Sequence, residues 1–107
     1  MPRQYVDPGT AMQPYPRHRG FNYTTTADTA QNATTLGSSM SEGNKVSLIV
    51  ELADLYVEFD ADASTTTMLI PAGSGYFDDG IVIETRISVR NVTAGQNGRL
   101  RGIIWGR

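Results

Sequence analysis

Few residues of this chain are of types that do chemistry, and their spacing limits what they can do. His18 is the single histidine and stands between arginines in Pro16-Arg-His-Arg-Gly20. A general base needs a group that orients the imidazole and a pocket that holds a substrate. Nothing beside His18 supplies either, so a solvated or interfacial histidine is expected. Asp60-Ala-Asp-Ala-Ser64 alternates oxygen-bearing side chains like the opening of a calcium loop. Thr65 stands where such a loop needs glycine, and Pro71 where it needs the closing glutamate, so the EF-hand pattern fails. That leaves a solvated turn, with a loose cation site at Asp60 and Asp62 as the alternative. Asp78 and Asp79 precede Gly80 and are expected to form a turn. Gly95-Gln-Asn-Gly98 opens no helix and is also a turn, without the context of a phosphate-binding loop. The chain has no cysteine, which removes thiolate catalysis, disulfide stapling and cysteine-ligated metal. No nucleophile–base pair or ligand set can be assembled, and the expectation is a non-enzyme without catalytic residues, cofactor or metal.

The remaining charged residues are segregated. Glu51, Asp54, Glu58, Asp60, Asp62, Asp78, Asp79 and Glu84 fall between Val46 and Thr85 without a single Lys or Arg. From Arg86 onward come Arg86, Arg90, Arg99, Arg101 and Arg107 without a single Asp or Glu. An arginine cluster can touch phosphates, but Leu100, Gly102, Ile103 and Ile104 between these arginines read as core, with Trp105 buried among them. Acidic and basic strands that lie side by side would form cross-strand pairs. Strands that lie apart would form an acidic and a basic patch suited to head-to-tail contact between subunits. The net charge of −2 gives no general attraction to nucleic acid or anionic membrane, and neither is expected as a partner.

The elements that must carry these residues are strands. A length of 107 residues allows one domain, and the abundance of Thr, Gly, Asn and Ser disfavours helix. Val46, Leu48, Val50 and Leu52 alternate with Ser47, Ile49, Glu51 and Ala53, as in a strand with one well-buried face. The alternation resumes out of phase at Leu55, Val57 and Phe59, so a bulge or tight turn is expected at Ala53-Asp54. Thr67 to Ile70 is a short buried strand stopped by Pro71, and Ile81 to Ile83 begins another. Gly80 to Arg107 reads as one or two strands, a turn over 93–98 and a closing strand to Trp105. The fold class expected is all-β: a small antiparallel sandwich or barrel of five to seven short strands in residues 46–107.

Residues 1–45 differ in composition. Four of the five prolines lie in the first sixteen positions, and Phe21 to Gly43 is mostly Thr, Ala, Asn, Ser and Gly. An extended N-terminal arm is expected, with Thr24 to Thr26 able to add a short edge strand. The aromatics Tyr5, Tyr15, Phe21 and Tyr23 suit an arm that orders on a neighbour. The 46–107 unit is small enough to be marginal alone, so either the arm packs back onto it or other subunits complete it. The candidate interface residues are therefore Tyr5, Tyr15, Phe21, Tyr23, Arg86, Arg90, Arg99 and Arg101. The start of the chain has no apolar run of signal-peptide length, and the Asn-x-Thr triplets at Asn22, Asn32 and Asn91 read as chance products of a Thr-rich chain.

The runs Asp54-Leu-Tyr-Val-Glu-Phe-Asp60, Met68-Leu-Ile-Pro-Ala-Gly73, Ile87-Ser-Val-Arg-Asn91 and Arg101-Gly-Ile-Ile-Trp-Gly-Arg107 resemble small β-sandwich structural proteins of tailed bacteriophage virions. The resemblance covers about 50 residues of packing and turn pattern. It implies a non-enzymatic virion protein, first of all a head decoration protein binding capsid subunits and its own copies. A neck, tail or fibre-anchoring component is the alternative within that class. It also implies homo-oligomerisation and residence in the virion after assembly in a host cytoplasm, and it transfers no catalytic residue. From another class, a carbohydrate-binding module would stack sugars on Tyr56, Tyr76 or Trp105.

Overall fold

The alternation at Val46, Leu48 and Val50 becomes the buried side of β3 (Gly43–Glu51), while Ser47, Ile49 and Glu51 face outward. A computed structural model describes residues 15–107 of the chain. The other strands are β1 (Arg17–Thr24), β2 (Gln31–Thr35), β4 (Leu55–Phe59), β5 (Met68–Ile70), β6 (Gly75–Asp78), β7 (Arg86–Asn91) and β8 (Arg99–Gly106). They form two four-stranded antiparallel sheets, the first ordered β1-β8-β3-β6 and the second β2-β7-β4-β5. Among the described residues the fold is all-β. It has eight strands where five to seven were expected, because two come from the stretch assigned to the arm.

The core is filled from both sheets. Val46, Val50, Leu100 and Ile104 of the first meet Leu55, Val57, Ile87 and Val89 of the second, and all eight are almost fully buried. Each such side chain stabilises the fold by about 1.5–3 kcal/mol relative to exposure. Residues 17–45 join this core. β1 and β2 are edge strands of opposite sheets, Leu36 and Met40 are buried, and Phe21 and Tyr23 pack against the cluster. The extended arm expected through residue 45 thus becomes sandwich from Arg17 onward. The reason is that an edge strand has one half-buried face and needs only sparse apolar residues such as Phe21, Tyr23 and Ala33.

The chain changes sheet at every connection except β4–β5, which is a hairpin. This explains the phase slip at Ala53-Asp54. Leu52, expected on the buried side, instead lies past the end of β3, adopts φ 75 and is exposed, because the chain turns there from the first sheet to β4 in the second. It also corrects the expectation for the last third. β7 and β8 lie in different sheets, so Gly80 to Arg107 is no hairpin, and 92–98 crosses between sheets. Ile81 to Ile83 is not a strand either: only Ile83 bridges, to Gly43, while its side chain fills the core.

Two polar devices hold the crossings. Asp60, at φ 61, accepts the amides of Glu84 (3.0 and 2.8 Å), Thr85 (2.7 Å) and Arg86 (3.2 Å) and the Thr85 hydroxyl (3.0 Å). Its oxygens are therefore directed at N–H and O–H donors, and Asp62 pairs with Arg86 at 2.8 Å. At the other end, Asn91 is buried and donates to Asp28 Oδ1 (2.8 Å) and Asn97 Oδ1 (2.9 Å) while accepting the Thr25 hydroxyl. Asn91 joins the β1–β2 loop to the β7–β8 loop, and its amide has no room for a glycan.

Candidate interaction surface

The outward alternation of four strands builds one face of the first sheet. On it, β8 presents Arg99, Arg101, Ile103 and Trp105. The ladder sets His18 and Lys45 on either side of Trp105, Gly20 and Ser47 on either side of Ile103, and Glu51 beside Arg99. Phe77 lies across from Ser47 at the far edge. Lys45 Nζ stands 4.8 Å from the Trp105 ring centroid and 5.6 Å from that of Phe77, so a cation bridges two aromatics across the sheet. Phe77 is 59% exposed and Ile49 44%, high values for large apolar side chains in a single patch.

The outer face of the second sheet is covered in part by the chain itself, while Leu69 on β5 stays 45% exposed. The loop 60–67 folds over β7, where the Ala63 amide donates to Ser88 Oγ (2.9 Å) and both residues are buried. No segment of the described residues does the same for the first sheet. Trp105 and Ile103, expected in the core, are thus half-buried members of an outer face. The inward positions of β8 go to Leu100, Gly102, Ile104 and Gly106. At Gly102 the Ser47 carbonyl and Leu48 side chain come so close that no Cβ fits, so this inward position takes glycine while Leu100 and Ile104 fill the core on either side of it.

The sequence-predicted interface residues do not gather in one place. Tyr5 lies outside the described residues. Tyr15 is half-buried just ahead of β1. Phe21 and Tyr23 point inward against the core, with the Tyr23 hydroxyl donating to Gln31 Oε1 (2.9 Å). Arg86 and Arg90 lie on the outer side of the second sheet, where Arg90 sits across from Tyr56 and Arg86 also donates to Asn32 Oδ1 (2.9 Å). Only Arg99 and Arg101 belong to the first-sheet face, and both turn to Glu51, at 2.9 and 3.6 Å. The cross-strand pairing expected between acidic and basic strands is realised there.

Sequence reasoning missed Lys45, Ile49, Ile103 and Phe77. The signal was present for Ile49, which sits out of phase with Val46, Leu48 and Val50. For the others, the outward side of β8 and β6 depends on which sheet each strand joins. The three aromatics considered for sugar stacking do not share a surface. Tyr56 and Trp105 are on opposite outer faces, and Tyr76 points inward, its ring 6.0 Å from Phe59 and its hydroxyl donating to Asp78 Oδ2 (2.8 Å).

Among the described residues there is no cavity or cleft, and no group of three or more His, Asp or Glu side chains converges. The face carries Trp105, Ile103, Ile49 and Phe77 around Lys45, with Arg99, Arg101, Glu51 and His18 beside them. Such a surface can adsorb another surface; it has no depression in which to enclose a small molecule. No family model, curated protein or solved structure matches the chain.

Proposed function

We propose that this chain is a non-enzymatic structural subunit that works by being built into a larger protein assembly. The observation that supports this reading is the outer face of the first sheet, where Trp105, Ile103, Ile49 and Phe77 lie together without a covering segment among the described residues. Interface centres are enriched in aromatic residues, and here Trp105 and Phe77 flank Lys45, whose charge is met by their ring faces. The placement of that assembly in a bacteriophage virion, as a head decoration protein bound to capsid subunits and its own copies, rests on the sequence resemblance alone.

The test is incorporation. Particles from a culture expressing the chain would be purified and its copy number counted by mass spectrometry, for wild type and for Trp105→Ala and Phe77→Ala. The decoration reading expects hundreds of copies per particle, and at least a tenfold loss of incorporation in the variants with unchanged circular dichroism. Six to twelve copies would place the chain at a neck or tail, following ring symmetry. Absence from particles would overturn the virion reading.

A further inference from the structure

The two outer edges of the first sheet carry opposite charge at the same level. Arg19 on β1 lies across from Ile104 on β8, Ile104 across from Val46 on β3, and Val46 across from Asp78 on β6. One cross-strand row therefore begins in an arginine and ends in an aspartate. The neighbours extend the contrast, since β1 opens Arg17-His-Arg19 and β6 ends at Asp78 with Asp79 following. Arg17, Arg19, Asp78 and Asp79 form no ion pair among the described residues. Arg19 Nε donates to Thr34 Oγ1 (2.8 Å), which fixes its stem. Asp78 accepts the Gly80 amide and the Tyr76 hydroxyl, both at 2.8 Å, which keep it below the usual carboxylate range and charged.

The main chain matches as well. The outer sides of β1 and β6 have no backbone partner among the described residues. A strand edge with bare N–H and C=O groups is a template for another strand. Across the order β1-β8-β3-β6 every pairing is antiparallel, so β1 and β6 run in opposite directions. A second copy set beside the first in the same orientation presents β1 antiparallel to β6.

We propose that copies of this chain join head to tail, β6 of one to β1 of the next, so that the first sheet continues across the boundary. Extending the rows at level register sets Asp78 opposite Arg19 of the partner subunit and Phe77 opposite Gly20 of the partner subunit. Tyr76 then meets Phe21 of the partner subunit on the inner side. The exposed Phe77 ring gains the bare backbone of a glycine to lie on, a favourable cross-strand match in sheets. A twofold pairing of β1 with itself would leave Asp78 and Asp79 without counter-charge. The contact is heterologous, so strand twist leads it to a ring or an open filament. The inference rests on the assembly reading above and supplies the contact between copies.

Sedimentation velocity of the full chain at low and high salt tests it. The wild type is expected to form species beyond a dimer that grow with concentration and shrink at high salt. Arg19→Glu and Asp78→Arg are each expected to be folded monomers by circular dichroism. Their one-to-one mixture regains assembly, because the arginine introduced at position 78 meets the glutamate introduced at position 19 and the other contact is native. Phe77→Asp, at a site 59% exposed and outside the core, is expected to stay folded by circular dichroism and to weaken assembly at least tenfold. A wild type that stays monomeric, a closed dimer indifferent to Asp78→Arg, or a mixture that fails to reassemble would each overturn the edge contact. A monomer that still enters larger particles would overturn this contact and leave the assembly reading standing. Self-assembly that never enters a particle would do the reverse.

Discussion

Glu51 on β3 and Arg99 on β8 face each other directly across the ladder, with Arg99 Nε 2.9 Å from the Glu51 carboxylate. Arg101 approaches the same carboxylate from the next outward position at 3.6 Å. Both arginines are partly solvated, so the cluster fixes register and contributes less than about 1 kcal/mol to stability. Arg99→Glu places like charges across the ladder, and the double exchange Glu51→Arg with Arg99→Glu is expected to recover most of the lost melting temperature. A double variant no better than the single one would show that the pair carries no specific interaction.

Asp60 gives the fold a dependence on acid. Burial is the largest single influence on its carboxyl and raises it, but the amides of Glu84, Thr85 and Arg86 with the Thr85 hydroxyl together outweigh burial, and the net shift is downward. A carboxyl held below its unfolded value stabilises the fold fully above the unfolded pKa of about 4, and this is lost as pH falls through the lower folded value. Asp60→Asn is expected to melt lower than wild type at pH 7, with the two curves converging below about pH 4. A constant difference at every pH would mean that the charge is not what holds the 84–86 amides.

Gly98, at the start of β8, has no room for a side chain. A Cβ there would stand 2.6 Å from the Ala53 carbonyl oxygen and 2.8 Å from Leu55, a backbone and a core residue that do not yield cheaply. Gly98→Ala is expected to destabilise by about 1–3 kcal/mol in chemical denaturation. Gly73→Ala, where nothing lies within 4 Å but φ is +88, isolates the backbone cost and is expected at about 1 kcal/mol.

Asn91 joins two loops from the interior. Replacing it with Ala leaves the buried Thr25 hydroxyl short of a partner and is expected to cost about 1–3 kcal/mol, while the exposed Asp28 carboxylate turns to water. Asp28 itself is held below the usual carboxylate range, first by Asn91 and then by the Gly95 amide. Hydrogen exchange should therefore quicken at Gly95 and Gly98 in Asn91→Ala while the β3–β8 ladder stays protected. Uniform loss of protection would assign Asn91 to the global core.

The strand character of Val46–Val50, Leu55–Phe59, Met68–Ile70 and Ile87–Asn91 was legible because a strand's period of two is a local property. So was the break at Ala53-Asp54, since a change of phase must appear wherever the chain turns from one buried face to another. An edge strand expected at Thr24 to Thr26 lies instead at Arg17–Thr24, and β2 was not read at all, because an edge strand needs few apolar residues and such sequence looks the same in a strand as in a linker. The amino-acid sequence by itself determined an all-β chain with a small core and segregated charge. Only the tertiary structure decided which sheet each strand joins, and through that which side of β8 is buried. Burial of Ile104 rather than Trp105, the pairing of Arg99 with Glu51, and the meeting of Arg19 and Asp78 in one row all follow from contacts between residues far apart in sequence, where no local pattern carries the information.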